Sequence, residues 1–313
     1  MAGGQERALR QRIRTVRSTR KITKAMELIA PSRIVRAQAR IAANRPFRDG
    51  MVRIVRQVVA EDPTVAEKML GTPESPQRIG VLAIVGDRGL AGSYNSGVLR
   101  ATERLMARYA ADGIEATLWT VGKKAPPYFR YRRTPVRSSF TGMADRPEFA
   151  DARDIAAAVI APFVAGDLDL VQLVSTRFIS AGTQRVEVQQ LLPIPLPGGE
   201  DEGAAGPGDI DELPAAGAGS GAGGFTEFEP DPETLLAQLM PQATEAEIFA
   251  ALLEGAASFF TAQQRAMAAA TENADELVRT LTRVMNRARQ DAITTEIMEI
   301  VGGAEALRQS KGA

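Results

Sequence analysis

The longest uninterrupted pattern of apolar and polar residues lies near the end of the chain, at residues 242–301. This stretch contains no proline and a single glycine, Gly255, and most of its residues are good helix formers. As one helix it would extend roughly 90 Å, and a helix of that length needs a partner along much of its length. Small and apolar residues recur there at alternating intervals of three and four, which predicts the seam of a coiled coil. The predicted seam consists of Met267, Ala270, Ala274, Leu277, Leu281, Val284 and Ala288.

A second long amphipathic helix is predicted at the beginning of the chain. Its apolar positions recur at close to 3.6 residues. They are Leu9, Ile13, Val16, Thr19, Ile22, Met26, Ala30, Ile34, Ala37 and Ile41. Pro31 would cost this helix ~3 kcal/mol unless the helix bends, so we expect a kink or a break near Ala30 and Pro31. The simplest arrangement is an antiparallel coiled coil of the two terminal helices, with a middle domain between them.

Short apolar runs alternate with helical patterns in the middle of the chain, which is typical of an α/β layered domain with a largely parallel sheet. Strands are predicted at residues 79–85, 114–121, near Val136, 168–175 and, as an antiparallel edge, 185–191. Helices are predicted up to about Ala111 and at 155–164, and a Pro- and Arg-rich turn at 126–133. The predicted fold class is therefore α/β, with a Rossmann-like domain and a long antiparallel coiled coil of the terminal helices.

Four segments follow from these patterns. They are an N-terminal coiled-coil helix at 1–60, the α/β domain at 76–196, a low-complexity insertion at 197–228 and a C-terminal coiled-coil helix at 229–313. Within the insertion, ten of the 27 residues from Gly198 to Gly224 are glycine. Such a composition cannot bury enough apolar surface to offset its ordering entropy, so a disordered surface loop is predicted there.

The amino-acid composition argues against several classes of function. The chain has no cysteine and no histidine, so disulfides, thiol chemistry, catalytic triads and most transition-metal sites are not expected. No apolar run reaches the ~18 residues that a membrane span needs. The beginning of the chain also lacks the usual layout of a signal peptide. These features predict a soluble protein on the cytoplasmic side of a membrane.

Charge is unevenly distributed, although the net charge is zero. Residues 1–56 carry fifteen Arg and Lys against three acidic residues, whereas residues 186–264 carry fourteen acidic residues and no basic one. A basic helical arm permits a nucleic-acid or anionic-membrane partner. It lacks the aromatic residues of single-strand binders, and its apolar stripe favours packing against another helix. A basic surface that meets an acidic protein partner is therefore the favoured interpretation.

The glycine-rich turn after Val85 is the candidate phosphate site of the sequence. A strand, a glycine turn and a helix N-terminus bind anions in many nucleotide-binding folds. The spacing Gly86-x-x-Gly89-x-x-Gly92 matches neither the dinucleotide fingerprint nor a P-loop. A tight turn with Asn95 near a helix start is the favoured alternative. Because no paired carboxylates or nucleophile with a base stand out, no catalytic, cofactor-binding or metal site is predicted.

Five short motifs along the chain together resemble those of one known family. They are the helical run Thr19–Ile29, the glycine turn Asp87–Gly92, the acidic segment Glu229–Pro232, and Asn286–Gln290 with Ile293–Ala304 near the end. They resemble, in this order, the N-terminal helix motif, the glycine turn, the segment before the C-terminal helix and the C-terminal signature of the gamma subunit of the rotary (F-type) ATP synthase of bacteria. The motifs occur in the family's order and span almost the whole chain.

The resemblance implies a central rotor shaft that couples rotation of a c-subunit ring to conformational change in catalytic beta subunits. It implies as partners three alpha and three beta subunits, an epsilon subunit and the c ring. The chain itself would be non-catalytic, without a cofactor, and peripheral to the cell membrane on its cytoplasmic side. The implied beta-contacting residues are Lys21, Lys24, Arg289, Gln290 and Thr294, and Glu229 lies in the implied c-ring-facing segment.

Two other functions stay open on the residues alone. One is a coiled-coil nucleic-acid-binding or architectural protein that uses the Arg-rich N-terminal arm, which would not require the C-terminal signature. The other is a nucleotide-binding enzyme centred on the α/β domain, which would need a phosphate motif that the chain lacks.

Overall fold

The computed structural model describes residues 2–61, 73, 75–195 and 231–310. The chain divides into two compact units. The terminal unit comprises Met1–Pro31 with Gln263–Ala313, and the sheet unit comprises Ser32–Ala262. The division into four sequence segments stays a prediction. The predicted insertion and Glu229 lie outside the described residues.

Two helices account for both ends of the chain. Helix α1 spans Ala2–Glu61, and helix α5 spans Pro232–Ser310. The predicted break near Pro31 is wrong, because α1 continues through this residue. A proline removes one backbone hydrogen bond of a helix, and the remaining hydrogen bonds of the neighbouring turns hold the helix together. A bend there stays a prediction.

Helix α5 begins ten residues before the proline-free stretch from which it was predicted, and it continues through Gly302 and Gly303. Its start is fixed by Asp231, whose carboxylate accepts hydrogen bonds from the Thr234 backbone N–H at 3.0 Å and the Thr234 hydroxyl at 2.8 Å. These bonds satisfy a free N–H of the first turn and lower the pKa of the Asp231 carboxyl. Pro241 lies inside the helix.

In the terminal unit, α1 and α5 run antiparallel. Thr23 faces Thr271 through a hydrogen bond between their hydroxyl oxygens at 2.9 Å, and Arg20 forms an ion pair with Asp275. Residue numbers thus fall along α5 as they rise along α1. The side chains buried along this seam are Ile13, Thr23, Ala30, Met267, Thr271, Ala274 and Leu281.

The predicted seams are half right. Met267, Ala274 and Leu281 are buried, but Leu277 and Val284 are 39% and 44% exposed, and Thr271 takes an inward position instead. On α1, Ile22 is 59% exposed and Thr23 is buried. The intervals on α5 therefore run four and then three, rather than three and then four. The prediction placed neither Thr23 nor Thr271 in the seam, yet their hydroxyl groups are hydrogen-bonded to each other.

The sheet unit contains five described strands. In chain order the elements are β1 (Arg78–Ile84), α2 (Tyr94–Ala111), β2 (Glu115–Val121), α3 (Ala125–Tyr131), β3 (Ser138–Phe140), α4 (Phe149–Val164), β4 (Leu170–Phe178) and β5 (Gln184–Leu192). The spatial order is β3-β2-β1-β4-β5, with β1 to β4 parallel and β5 antiparallel. The predicted α/β fold and the antiparallel edge are confirmed.

Alternate side chains of the sheet fill two cores. On one face, Val81 and Leu118 pack with Val98 of α2 and Phe129 of α3. On the other, Leu82, Ile84, Trp119 and Leu173 pack with α4 and with Ile248, Ala251 and Leu252 of α5. Both faces are covered, which explains why the central strands are apolar without alternation. The segment predicted as a Pro- and Arg-rich turn is instead helix α3, whose first turn contains Pro126 and Pro127.

Candidate partner-binding surfaces

The glycine-rich turn closes the carboxyl end of the sheet with its own side chains. Asp87 Oδ1 accepts hydrogen bonds from the backbone N–H groups of Lys123 and Gly142, both at 3.0 Å, and its Oδ2 accepts one from Ala144 at 3.0 Å. Arg88 pairs with Asp145 at 2.8 Å. The carboxylate of Asp87 thus joins the loops that follow β1, β2 and β3.

The first backbone N–H of the turn, that of Gly86, is also hydrogen-bonded to a side chain. Gly86 N–H donates to Asn95 Oδ1 at 2.8 Å, and Asn95 Nδ2 donates to the Arg88 carbonyl at 2.8 Å. Asn95 lies in the first turn of α2, so its side chain fixes the turn against that helix. This is the tight turn that the sequence favoured over a phosphate site.

The crevice where ligands bind in doubly wound sheets is filled by α5. Such ligands lie at the carboxyl ends of the strands where the strand order reverses, here between β1 and β4. A Cβ added to Gly255 of α5 would lie 3.0 Å from Tyr94 Oη and 3.7 Å from Ile84 at the end of β1, and one added to Gly86 would meet Phe259 at 3.1 Å. The protein's own helix therefore takes the place of a ligand.

A partly buried polar cluster links α1 and α5 to the sheet, and sequence reasoning missed it. Arg48 of α1 donates to both carboxylate oxygens of Glu247 at 2.9 and 3.2 Å, and Gln189 of β5 donates to Glu247 Oε1 at 2.9 Å. Glu254 lies two helical turns beyond Glu247 on α5, and its carboxylate accepts a hydrogen bond from the Phe178 backbone N–H at 3.1 Å. Burial raises the pKa of the Glu254 carboxyl. Glu247 and Glu254 are seven residues apart, and that spacing was the available signal.

The predicted beta-contacting residues all lie on exposed surface of the terminal unit. Lys21 and Lys24 are on α1, and Lys24 pairs with Glu27 at 2.8 Å. Arg289, Gln290 and Thr294 are exposed on α5. Gln290 and Thr294 are four residues apart and share a face of the helix.

The structure does not bring these two groups together. Arg20 and Thr23 face Asp275 and Thr271, so Lys21 and Lys24 lie level with that part of α5. Arg289 follows Asp275 by fourteen residues, or about 21 Å along the helix. Lys21 instead lines a groove with three further cations of α1 that the sequence did not single out. These are Arg10, Arg14 and Arg17.

The end of α5 presents apolar side chains to solvent. Met298 is 67% exposed. Ile293, Ile297, Ile300 and Val301 are similarly uncovered. Singly exposed apolar residues are ordinary, but several within three turns of one helix mark an interaction surface. The apolar residues after Asp291 were the available signal, although they do not continue the seam.

Neither a membrane-spanning helix nor a cluster of metal ligands occurs among the described residues. No helix there combines the length and apolar character required to cross a bilayer. No group of three or more acidic side chains in that part of the chain is arranged to hold a metal ion.

Comparison with known proteins identifies the family. A family model described as ATP synthase matches residues 5–307. The ATP synthase gamma chain of Parafrankia sp. is 44% identical over 308 residues, covering 97% of this chain and 98% of that protein, and the gamma chain of Frankia casuarinae is 43% identical over the same shares. A chain in the cryo-EM structure of the Euglena gracilis mitochondrial ATP synthase (OSCP/F1/c-ring, rotational state 3) has the same fold, with a TM-score of 0.62 at 17% identity over 99% of this chain and 97% of that one. With near-complete coverage at this identity, the chain belongs to the ATP synthase gamma chain family.

Proposed function

We propose that this chain is the central rotor shaft of a proton-translocating ATP synthase. It couples rotation of the c ring to conformational change in the catalytic beta subunits, for ATP synthesis or hydrolysis. The observation that carries the proposal is membership of the gamma chain family over nearly the whole length of the chain. The alternative of a nucleic-acid-binding or architectural protein receives no support from this family.

The chain transmits torque and catalyses no reaction itself. In support, the carboxyl-end crevice of its sheet is filled by Gly255 and Phe259 of α5, and the first amide of the glycine turn is bonded to Asn95. A bound nucleotide would have to displace a helix that also forms part of the core.

Its partners are the alpha and beta subunits, three of each, the epsilon subunit and the c ring. The chain is peripheral to the cell membrane, on the cytoplasmic side. The apolar end of α5, with Ile297 and Met298 exposed, supports a shaft whose tip is covered by other subunits. Glu229, which lies outside the described residues, belongs to the segment that faces the c ring.

Contacts with the beta subunits are made by Arg289, Gln290 and Thr294 on α5 and by Lys21 and Lys24 on α1. Exposure of all five side chains supports this role. A guanidinium donates fork-shaped, charge-assisted hydrogen bonds that a flexible ammonium reproduces poorly. Losing such a contact costs on the order of 2–5 kcal/mol when the partner charge is left buried, and far less when water replaces it.

The test is to assemble the complex with Arg289→Ala and Arg289→Lys and to measure ATP hydrolysis and ATP-driven proton pumping. Arg289→Ala should slow both rates roughly three- to tenfold, equivalent to about 1 kcal/mol in the barrier, with normal subunit stoichiometry. Arg289→Lys should recover part of the rate.

Arg279→Ala is the matched control, because Arg279 is exposed on the same helix outside the C-terminal motif. It should leave both rates unchanged. Wild-type rates for Arg289→Ala, Gln290→Ala and their combination would reject these contacts. Torque would then be passed by bulk and shape alone.

A further inference from the structure

A surface rich in arginine covers the face of the sheet that does not pack against α5. It is formed by α2 and the end of α3, which share the core containing Val98 and Phe129. We call it the arginine patch. It consists of Arg100, Arg104, Arg130, Tyr131, Arg132 and Arg133, and Glu103 is the acidic residue among them.

The centre of the patch is held in a fixed geometry. Tyr128 Oη donates to Glu103 Oε2 at 2.6 Å, and Arg132 Nε lies 3.0 Å from Glu103 Oε1. The Arg132 guanidinium also lies over the Tyr128 ring, 5.7 Å from its centroid. Both carboxylate oxygens of Glu103 therefore contact neighbouring side chains, those of Tyr128 and Arg132. Within the described part of the chain, no acidic side chain pairs with Arg100, Arg104, Arg130 or Arg133.

The backbone places the remaining side chains outward. Arg133 adopts a left-handed conformation with φ of 57°. Hydrogen bonds from the N–H groups of Arg132, Arg133 and Thr134 back to α3 hold this turn. Tyr131 precedes it and is 83% exposed. A left-handed residue with such bonds is a common C-terminal cap of a helix, and here it fixes the direction of the chain after α3.

We infer that the arginine patch binds an acidic surface of another protein subunit. Tyrosine and arginine are the residues enriched at the energetic centre of protein interfaces, because both bury much area and keep a polar group. The patch contains five guanidinium groups and one carboxylate, so a partner of complementary charge must supply carboxylates. A rigid arrangement suits carboxylates fixed on a folded protein better than mobile lipid headgroups.

This interface goes beyond the proposed contacts of the shaft. The patch lies on the side of the sheet opposite to α4 and the α5 segment that contains Ile248 and Leu252. It is therefore a second surface for a neighbour, and it contains none of the residues assigned to the beta subunits.

The experiment places a photo-activated cross-linking amino acid at Tyr131 in the membrane-bound complex, with the adduct identified by mass spectrometry. The expected result is one major adduct to a subunit of the complex, at a peptide that contains clustered Asp or Glu. Its yield should fall several-fold at high salt and in the double variant Arg130→Glu with Arg133→Glu. Replacing the mapped acids with Lys should restore the yield in that variant.

Two controls address exposure and charge. The cross-linker at Val164, which is 72% exposed at the end of α4, should not give that adduct. Arg185→Glu, an exposed charge reversal on β5, should leave the Tyr131 adduct unchanged. A Tyr131 adduct to lipid, an adduct at a peptide without acidic residues, insensitivity to the double reversal, or no adduct in an intact complex would each overturn the inference.

Discussion

At the scale of single residues, the polar cluster around Arg48 joins three elements of the sheet unit. The guanidinium contacts Glu247 with two hydrogen bonds and lies 4.0 Å from Glu254. Two carboxylates and one cation share a partly buried site, and Gln189 adds a neutral donor. Such a cluster specifies one register between helix and strand, since any slip would leave a charge unpaired.

Arg48→Ala should lower the free energy of unfolding by about 1–2 kcal/mol, because Glu247 loses its guanidinium partner and Glu254 loses one of the two cations near it. This decrease in stability lies at the low end of the range for hydrogen bonds to charged groups, since the Arg48 side chain is 35% exposed. Denaturant titration of the purified chain measures it. Arg108→Ala is the control, because its pair with Asp112 is exposed and 4.0 Å apart. Equal effects of the two changes would show that the cluster adds no stability.

Glu254→Gln should change how stability depends on pH. Burial raises the pKa of Glu254, so the folded chain holds this proton more tightly than the unfolded chain. The resulting stabilisation is present below the unfolded pKa and is lost as pH rises through the folded value. The variant stays neutral and keeps an acceptor for the Phe178 N–H.

Thermal unfolding of both chains between about pH 4 and about pH 8, which bracket the ordinary carboxyl range, is the measurement. The melting temperature of the variant relative to the wild type should increase toward the alkaline end. A constant difference across this range would mean that Glu254 does not titrate differently on folding.

At the scale of elements, the coiled-coil seam offers a matched pair of leucines. Leu281 is 8% exposed and Leu277 is 39% exposed, although both belong to the seam predicted from sequence. Leu281→Asp places a carboxylate in an apolar contact, where it must be paired or protonated at a cost of several kcal/mol. Helicity and assembly of the complex should both fall.

Leu277→Asp is the control on the same helix. It should reduce helicity much less, because its side chain reaches water. Circular dichroism and the yield of assembled complex distinguish the two variants. If Leu277→Asp were the more damaging change, the register observed in the terminal unit would be wrong.

The strands could be predicted from the sequence because both faces of the sheet are buried, so each central strand is a continuous run of apolar residues between turns. One element was predicted wrongly for a local reason. Pro126 and Pro127 were interpreted as a turn, yet proline is favourable in the first turn of a helix, where its missing N–H has no partner to lose.

At the scale of the whole molecule, the proposed role requires that the chain turn over no nucleotide alone. The purified chain should show background ATP hydrolysis, since Asp87 is bonded to three backbone N–H groups and Arg88 to Asp145. A steady-state assay of the isolated chain is the test. Activity that copurifies with the chain and disappears in Asp87→Asn or Arg88→Ala would contradict a purely mechanical role.

The sequence by itself determined the terminal helices, the strands and all but one of the described helices between them, and the family. Each of these follows from periodicity or from motifs that are contiguous in the chain. Only the tertiary structure decided which side of each helix is buried, because the residues at Ala270 and Thr271, or at Ile22 and Thr23, fit the spacing of a seam equally well. It also decided that α5 fills the crevice at β1 and β4, and that Glu103 gathers the arginine patch. These contacts join residues far apart in the chain, where a pattern read along one element carries no information about the element packed against it.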